Sequence, residues 1–288
     1  MPVKNRHALL WILFMNKPTV KSVVALALNE DIGTGDVSAS LLKDEKVAAQ
    51  IIVRESAIIC GIEYAQNAFL SLDKNIQIEW QLNDGDRMDK NQILCMISGA
   101  SRAIISAERV ALNFLQTLSA VATKTRYLVD KIAHTNAQLL DTRKTIPGLR
   151  LAQKYAVKCG GGVNHRMGLY DAVMLKENHI IAAGSIGCAI KSAMQKYPNL
   201  PLIVEVENLT QLQQVLPLDG VERVLCDNFS IADLAQAVRL SNGKLPLEAS
   251  GNIDENTILA VAKTGVDYIS TGSITKNIQA IDLSLRFN

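Results

Sequence analysis

Six short apolar runs, most of them ending in charge or glycine, recur between residues 138 and 273. They are QLLDTRKT (138–145), AVMLKENH (172–179), LIVEVEN (202–208), RVLCDN (223–228), LPLEASGN (245–252) and DYISTGS (267–273). Amphipathic stretches such as CAIKSAMQKY (188–197) and SIADLAQAVRL (230–240) lie between them. Strands alternating with helices form βα units, whose strands assemble into one parallel sheet. Six such units in this span predict a closed or nearly closed α/β barrel. In barrels of this kind the chemistry sits at the carboxyl ends of the strands, where the following loops converge on one mouth. Here those ends carry Asp141, Arg143, Lys144, Lys176, Glu177, Glu205, Glu207, Asp227, Glu248, Ser250 and Thr271. One polar strand end is ordinary; nearly every strand finishing this way indicates a charged site.

Before Ser101 the rhythm is different. Val20 to Asn29 predicts a helix, and EDIGTGDVS (30–38) a Gly- and Asp-rich loop. Val47 to Arg54, Ile76 to Leu82 and Ile93 to Ile97 predict strands, with a turn at NDGDRMDKNQ (83–92). This is the pattern of an antiparallel α+β domain, and a long helix over Ala103 to Ala133 follows it. The 288 residues are about twice a typical domain of roughly 150, which also favours two domains.

Composition narrows the partners. With 30 Lys+Arg against 28 Asp+Glu and 48% hydrophobic residues, the chain is neither a disordered tail nor a general nucleic-acid binder, having no basic surplus to drive counterion release. Cys60, Cys95, Cys159, Cys188 and Cys226 form no CxxC pair, which predicts reduced thiols in a cytoplasmic protein. The apolar stretch 8–15 is too short to span a bilayer and is followed by no small-residue cleavage site. Ala103 to Thr123 contains Glu108 and Arg109, so a buried helix is expected there rather than a membrane span.

Charge is unevenly placed. Leu139 to His179 holds seven Lys/Arg and three acids, a surplus of +4 in a chain whose net charge is +2. A solvated helix face accounts for Lys154 and Lys158, one turn apart. Arg143, Lys144, Arg166 and Lys176 fall at strand ends or in loops, where arginine can grip carboxylate or phosphate bidentately and lysine supplies a point charge. EASGN (248–252) and TGVDYISTGS (264–273) place glycine and hydroxyls in the last two βα loops, where barrels commonly bind phosphate. GGG (160–162) lacks phosphate-loop spacing and reads as a flexible or tightly packed loop. Glu205 and Asp227 end adjacent strands at deeply buried positions. They either pair with barrel lysines or hold Mg²⁺ through water and bind sugar hydroxyls. His165 is a candidate anion donor or proton-transfer group, and His179 a helix cap. Arg109, in an otherwise uncharged helical stretch, is expected to be buried, paired with Glu108 or at an interface. No nucleophile elbow and no clustered Cys/His are present.

EDIGTGDVS, ERVALNFLQTLSAVAT, LDTRKTIPGLR, KCGGGVNHRMGLYDAVMLKENHI, VEVEN, LCDNF and EASGNI, in this order, resemble the quinolinate phosphoribosyltransferase family, carboxylating nicotinate-nucleotide pyrophosphorylases. The resemblance runs from about residue 20 to the end. It implies an N-terminal α/β open sandwich over residues 1–115, a TIM-like α/β barrel, complete or incomplete, over 116–273, and a return of 274–288 to the first domain. It implies a homodimer with shared active sites, and conversion of quinolinate and 5-phosphoribosyl diphosphate to nicotinate mononucleotide, diphosphate and CO₂ with Mg²⁺. On this resemblance Arg143, His165, Arg166 and Lys176 hold quinolinate, with Arg109 reaching in from the partner. Lys144, Glu205, Asp227, Ser250, Gly251, Gly272 and Ser273 meet the phosphoribosyl donor, and Glu205 and Asp227 the metal. TGSITKN (271–277) departs from the usual family pattern, with Lys276 in place of a histidine. Two other readings are a related molybdenum-associated paralogue with another acceptor, and a non-catalytic phosphosugar-binding protein.

Overall fold

A computed structural model describes residues 19–287; the apolar stretch 8–15 lies outside them. The first helix, α1 (Val20–Ile32), starts at Thr19, whose hydroxyl accepts from the Ser22 amide, satisfying one of the free N–H groups of the first turn. A short 3₁₀ turn (Ala39–Leu41) precedes β1 (Lys46–Val53), β2 (Ala57–Ile58), α2 (Ile62–Leu72), β3 (Gln77–Trp80), β4 (Arg87–Met88), β5 (Ile93–Ala100) and the 32-residue α3 (Ser101–Ile132). The chain divides into two units. One runs to Ser119 and takes back the tail from Ala280; the other is Ala120–Gln279. The first boundary falls inside α3, a few residues beyond 115, and the tail leaves the second unit at 280 rather than 274.

In the first unit β1 pairs antiparallel with β5 on one side and with the C-terminal strand Leu283–Phe287 on the other, and β3 extends the sheet from β5. Alternate residues of β1 (Ala49, Ile51, Val53) are buried, as the two-residue period of a strand requires when one face meets the core. Helix α2 buries Ala65, Ala68 and Phe69. Ile104, Ala107, Ala111, Leu115 and Leu118 of α3 are buried at three- and four-residue spacing, one apolar stripe along the helix. The stretch around Glu108 is thus a core helix with a polar side. Among the described residues no helix is long and apolar enough to cross a membrane.

The second unit is the βα series. Its elements are β6 (Gln138–Leu140), α4 (Arg150–Cys159), β7 (Val173–Leu175), α5 (Glu177–Ala183), α6 (Ile186–Lys196), β8 (Leu202–Val206), α7 (Leu209–Val215), β9 (Arg223–Asp227), α8 (Ile231–Ser241), β10 (Leu247–Ser250), α9 (Ile258–Ala262), β11 (Tyr268–Ser270) and α10 (Ser273–Lys276). All six strands are parallel, in the order β6-β11-β10-β9-β8-β7. The first strand pairs with the last, so the sheet wraps round on itself and stays open only between β6 and β7.

The glycine-rich segment enters that opening. Val163 donates its N–H to Leu139 O (2.8 Å) and Asp141 donates to Val163 O (3.2 Å), a one-residue parallel bridge beside β6. Of the two readings of GGG, tight packing is the observed one. A Cβ on Gly160 would lie 2.5 Å from both Ala122 O and Thr125 Cβ, and one on Gly162 2.8 Å from Val157 Cγ1. Strand register then fixes what faces inward. Glu205, Leu225, Glu248 and Tyr268 are mutual neighbours across β8, β9, β10 and β11; two residues on, Asp227, Ser250 and Ser270 form the next inward layer.

Candidate active site

The loop after β6 carries Arg143 and Lys144 and is tied down from several sides. Arg150, the last residue of the PGLR block, donates Nε to Thr145 Oγ1 (3.1 Å), Nη2 to Arg143 O (3.3 Å) and Nη1 to Met167 O (3.2 Å). Thr275 Oγ1 donates to Lys144 O (2.8 Å), and Gln153 donates to Thr275 O (2.8 Å) while accepting from the Ile146 amide (2.7 Å). A single guanidinium thus fixes two cation-bearing loops relative to each other, since its planar fork cannot satisfy three acceptors otherwise.

Below this loop lies a buried ion pair, where a solvated helix face was expected for Lys154. Lys154 is fully buried, bonded to Asp141, and Asp141 is also 0% exposed; only Lys158 lies on the solvated face of α4. Lys154 Nζ also donates to His165 O (2.8 Å), and Asp141 accepts from His165 N (2.8 Å) and Asn164 Nδ2 (2.6 Å). The helix turns Lys154 inward because the strand end offers it a carboxylate that would otherwise be buried unpaired. Burial drives Asp141 above the ordinary carboxylate range and Lys154 below the ordinary amine range, against their mutual attraction. Functionally, the pair anchors the segment that delivers His165 and Arg166.

A cavity of about 300 Å³ opens at the strand ends, lined by Thr142, Arg143, Lys144, His165, Arg166, Met174, Lys176, Glu205, Leu225, Asp227, Glu248, Ser250 and Ser270. Four cations therefore share it with three carboxylates. Burial, and after it the neighbouring Arg143, pull the Arg166 guanidinium down from its ordinary value, against the opposing effect of Asp171 and Glu205. Arg143 Nε is buried with no hydrogen-bond partner. An anion between these two side chains would relieve both. Arg166 Nη1 donates to Ala172 O (3.1 Å), which aims the rest of its fork. Lys176 Nζ meets Glu205 Oε2 at 2.5 Å, so the ion-pair reading of Glu205 is realised in this state of the molecule. Glu205 and Asp227 are only partly buried; the fully buried acids are Asp141 and Glu248. The strand ends of a barrel mouth are wetter than its interior layers, and depth follows the layer and not the strand alone.

Of the expected site residues, the structure brings together Arg143, Lys144, His165, Arg166, Lys176, Glu205, Asp227 and Ser250. Gly251, Gly272 and Ser273 do not line the cavity. Gly251 has φ +102° and a Cβ there would meet Asn228 Oδ1 at 2.2 Å, while a Cβ on Gly272 would touch Lys144 Cδ at 3.0 Å. Arg109 belongs to the first unit and is exposed rather than buried; its charge acts on the neighbouring Glu108, whose carboxyl burial raises and Arg109 lowers. His179 is a cap, its Nδ1 accepting from the Lys176 amide (3.0 Å). Thr142, Met174, Leu225 and Ser270 were not singled out from sequence; inward parity two residues before a charged strand end finds the first three, whereas Ser270 is placed only by its pairing with Ser250.

The description Quinolinate phosphoribosyl transferase, N-terminal domain, matches residues 34–119, and its C-terminal domain counterpart matches residues 121–286. The chain belongs to the quinolinate phosphoribosyltransferase family. Within that family it is 41% identical to a mitochondrial quinolinate phosphoribosyltransferase [decarboxylating] of Nicotiana tabacum, over 93% of this chain and 82% of that one. It is 38% identical to a probable nicotinate-nucleotide pyrophosphorylase [carboxylating] of Bacillus subtilis, over 94% of each. The nicotinate-nucleotide pyrophosphorylase structure from Francisella tularensis superposes with TM-score 0.92 at 50% identity, covering 93% of this chain and 96% of that one. Lys276 lies at the end of α10, exposed and one residue from Thr275, which holds the Lys144 loop.

Proposed function

We infer that this protein is a pentosyltransferase of NAD biosynthesis, converting quinolinate and 5-phosphoribosyl diphosphate to nicotinate mononucleotide, diphosphate and CO₂. The observation that carries this reading is the cavity at the strand ends, in which Arg143, Lys144, Arg166 and Lys176 gather with the strand-end carboxylates Glu205 and Asp227. Both substrates are small polyanions, and the clustered cations suit them.

In the reaction the pyridine nitrogen of quinolinate forms a bond to ribose C1, and the bond from C1 to diphosphate breaks. Arg143, His165, Arg166 and Lys176 hold the two carboxylates and so set the ring nitrogen in line with C1. Positioning of this kind supplies much of the rate enhancement when two bound reactants meet. Lys144 lies beside the donor's phosphates and, with its neighbours, stabilises the charge gathering on the departing diphosphate. Glu205 and Asp227 face the sugar, where carboxylates favour the positive charge that develops as the C1–O bond lengthens. Loss of the 2-carboxylate as CO₂ leaves an electron pair at C2, which takes up a proton. No protein nucleophile is needed.

Among the described residues no cluster of three or more His, Cys, Asp or Glu could enclose a metal. Mg²⁺ does not require one, since it is usually held by one or two carboxylates together with water and substrate phosphate. Glu205 and Asp227, at neighbouring strand ends, fit that donor set and would hold it. When bound it neutralises diphosphate charge. Ser250, Gly251, Gly272 and Ser273 are assigned to the 5′-phosphate.

We also propose a homodimer in which Arg109, exposed on α3 in the single chain, completes the partner's site, and residence in the cytoplasm. Purified protein supplied with quinolinate, 5-phosphoribosyl diphosphate and Mg²⁺ is expected to release CO₂ and form nicotinate mononucleotide. Absence of product would overturn the assignment, and activity on another base alone would favour the paralogue. Mixed dimers of Arg109→Ala and Lys176→Ala chains should recover activity, because one of the two hybrid sites is then intact. No recovery in demonstrably exchanged dimers would refute the shared site.

A further inference from the structure

Glu248 has no role in the scheme above, yet it forms the floor of the site. It is 0% exposed, faces inward from β10, and neither carboxylate oxygen has an aligned hydrogen bond. Arg223 Nε lies 3.0 Å and His165 Nε2 3.4 Å from its Oε2. Arg223, at the opposite end of the barrel interior, has 13% of its side chain exposed and stacks its guanidinium 4.8 Å over the Tyr268 ring. Burial alone would raise the Glu248 carboxyl, but His165, Arg223 and Ser270 outweigh it and hold Glu248 below the ordinary range. An ionised carboxylate beneath an anion-binding site repels the ligand it lies under. Packing alone is better served by an apolar residue.

His165 supplies the reason for it. Its Nδ1 lies 2.7 Å from the Arg166 amide. A backbone N–H can only donate, so Nδ1 is unprotonated and the ring proton sits on Nε2. That nitrogen lies 3.4 Å from Glu248 Oε2, close enough for the charge to act on its proton although the two form no aligned hydrogen bond. The chain of contacts therefore runs Arg223, Glu248, His165, Arg166 amide. We propose that Glu248 is a positioning residue for quinolinate: it keeps His165 in the Nε2–H tautomer, and His165 Nδ1 in turn fixes the Arg166 main chain so that its guanidinium faces the ligand carboxylate. Arg223 is the counter-ion that offsets the charge of Glu248 and lets it lie below an anion. The proposal rests on the assignment of His165 and Arg166 to the quinolinate carboxylates.

The direct test is the tautomer. In wild-type protein with ¹⁵N-labelled imidazoles, His165 (assigned by loss of its signals in His165→Asn) should show a protonated Nε2 and an unprotonated Nδ1. A protonated Nδ1 would overturn the proposal without any variant having to fold. Glu248→Leu combined with Arg223→Met removes both buried charges together. It should lose the single tautomer and raise the KM for quinolinate about tenfold or more, with a much smaller change in the KM for 5-phosphoribosyl diphosphate. Glu248→Gln keeps an acceptor oxygen and should recover most of that loss. An unchanged quinolinate KM in the folded double variant sinks the idea. Arg166→Ala tests the underlying assignment separately, since it must weaken quinolinate whatever Glu248 does.

Discussion

At the scale of single residues, the largest surprise is that two lysines one turn apart on α4 have opposite fates. Lys154 is enclosed with Asp141, and Lys158 is in water. Lys154→Met leaves the Asp141 carboxylate buried without its cation and should destabilise the fold by about 3–5 kcal/mol. Lys158→Met should stay within about 0.5 kcal/mol of wild type, as surface substitutions do. Urea denaturation of the two variants side by side measures the difference, and equal midpoints would contradict the buried pair. Sequence spacing put both residues on one helix but could not say which way the helix faced. At four-residue spacing the two lie on nearly the same side of the helix, and what separates them is position along its axis: Lys154 is beside the Asp141 carboxylate that follows β6, and Lys158 is in the last turn.

At the scale of elements, the segment between α4 and β7 carries much of the binding surface although it has no regular secondary structure. Its far end is held by Asp171, which accepts from the Met167 amide at 2.7 Å and the Gly168 amide at 3.0 Å. Burial opposes the charge on Asp171, but these amides outweigh it and hold the carboxyl below its ordinary value of 3.8. A depressed carboxyl favours the folded arrangement at pH above that ordinary value, and the contribution is lost as pH falls through the folded value. Amide exchange at Met167 and Gly168, corrected for its intrinsic pH dependence, should therefore accelerate on acidification below about pH 4. Asp171→Asn should accelerate it at neutral pH and flatten that dependence. If the variant and wild type exchange alike at neutral pH, the carboxylate does not hold the turn. The six βα units were legible because each strand and helix carries its own period. The segment 160–172 was not, because its conformation comes from contacts with β6, α3 and α4 and not from any repeat of its own.

At the scale of the whole molecule, thiol chemistry reports how the chain is folded. Burial pushes the thiols of Cys95 and Cys226 up to about 12, and Cys60 is buried as well, whereas Cys188 is exposed. Ellman's reagent should label Cys188 first, with Cys60, Cys95 and Cys226 reacting only after unfolding, since the thiolate is the reactive form. Rapid native labelling at Cys226, on the helix-facing side of β9, would contradict the barrel register. The sequence by itself determined the strand and helix periods, the cationic enrichment between residues 139 and 179, and the polar strand ends that gather at one mouth. These are local properties, set by side chains a few positions apart. Tertiary structure alone decided that β6 pairs with β11, that Asp141 and Glu248 lie deeper than Glu205 and Asp227, and that Lys154 belongs to the interior. Those outcomes depend on closing a sheet whose first and last strands are far apart in the chain. Whether a charge is solvated or paired is settled only when that closure brings its partner within reach or leaves it in water.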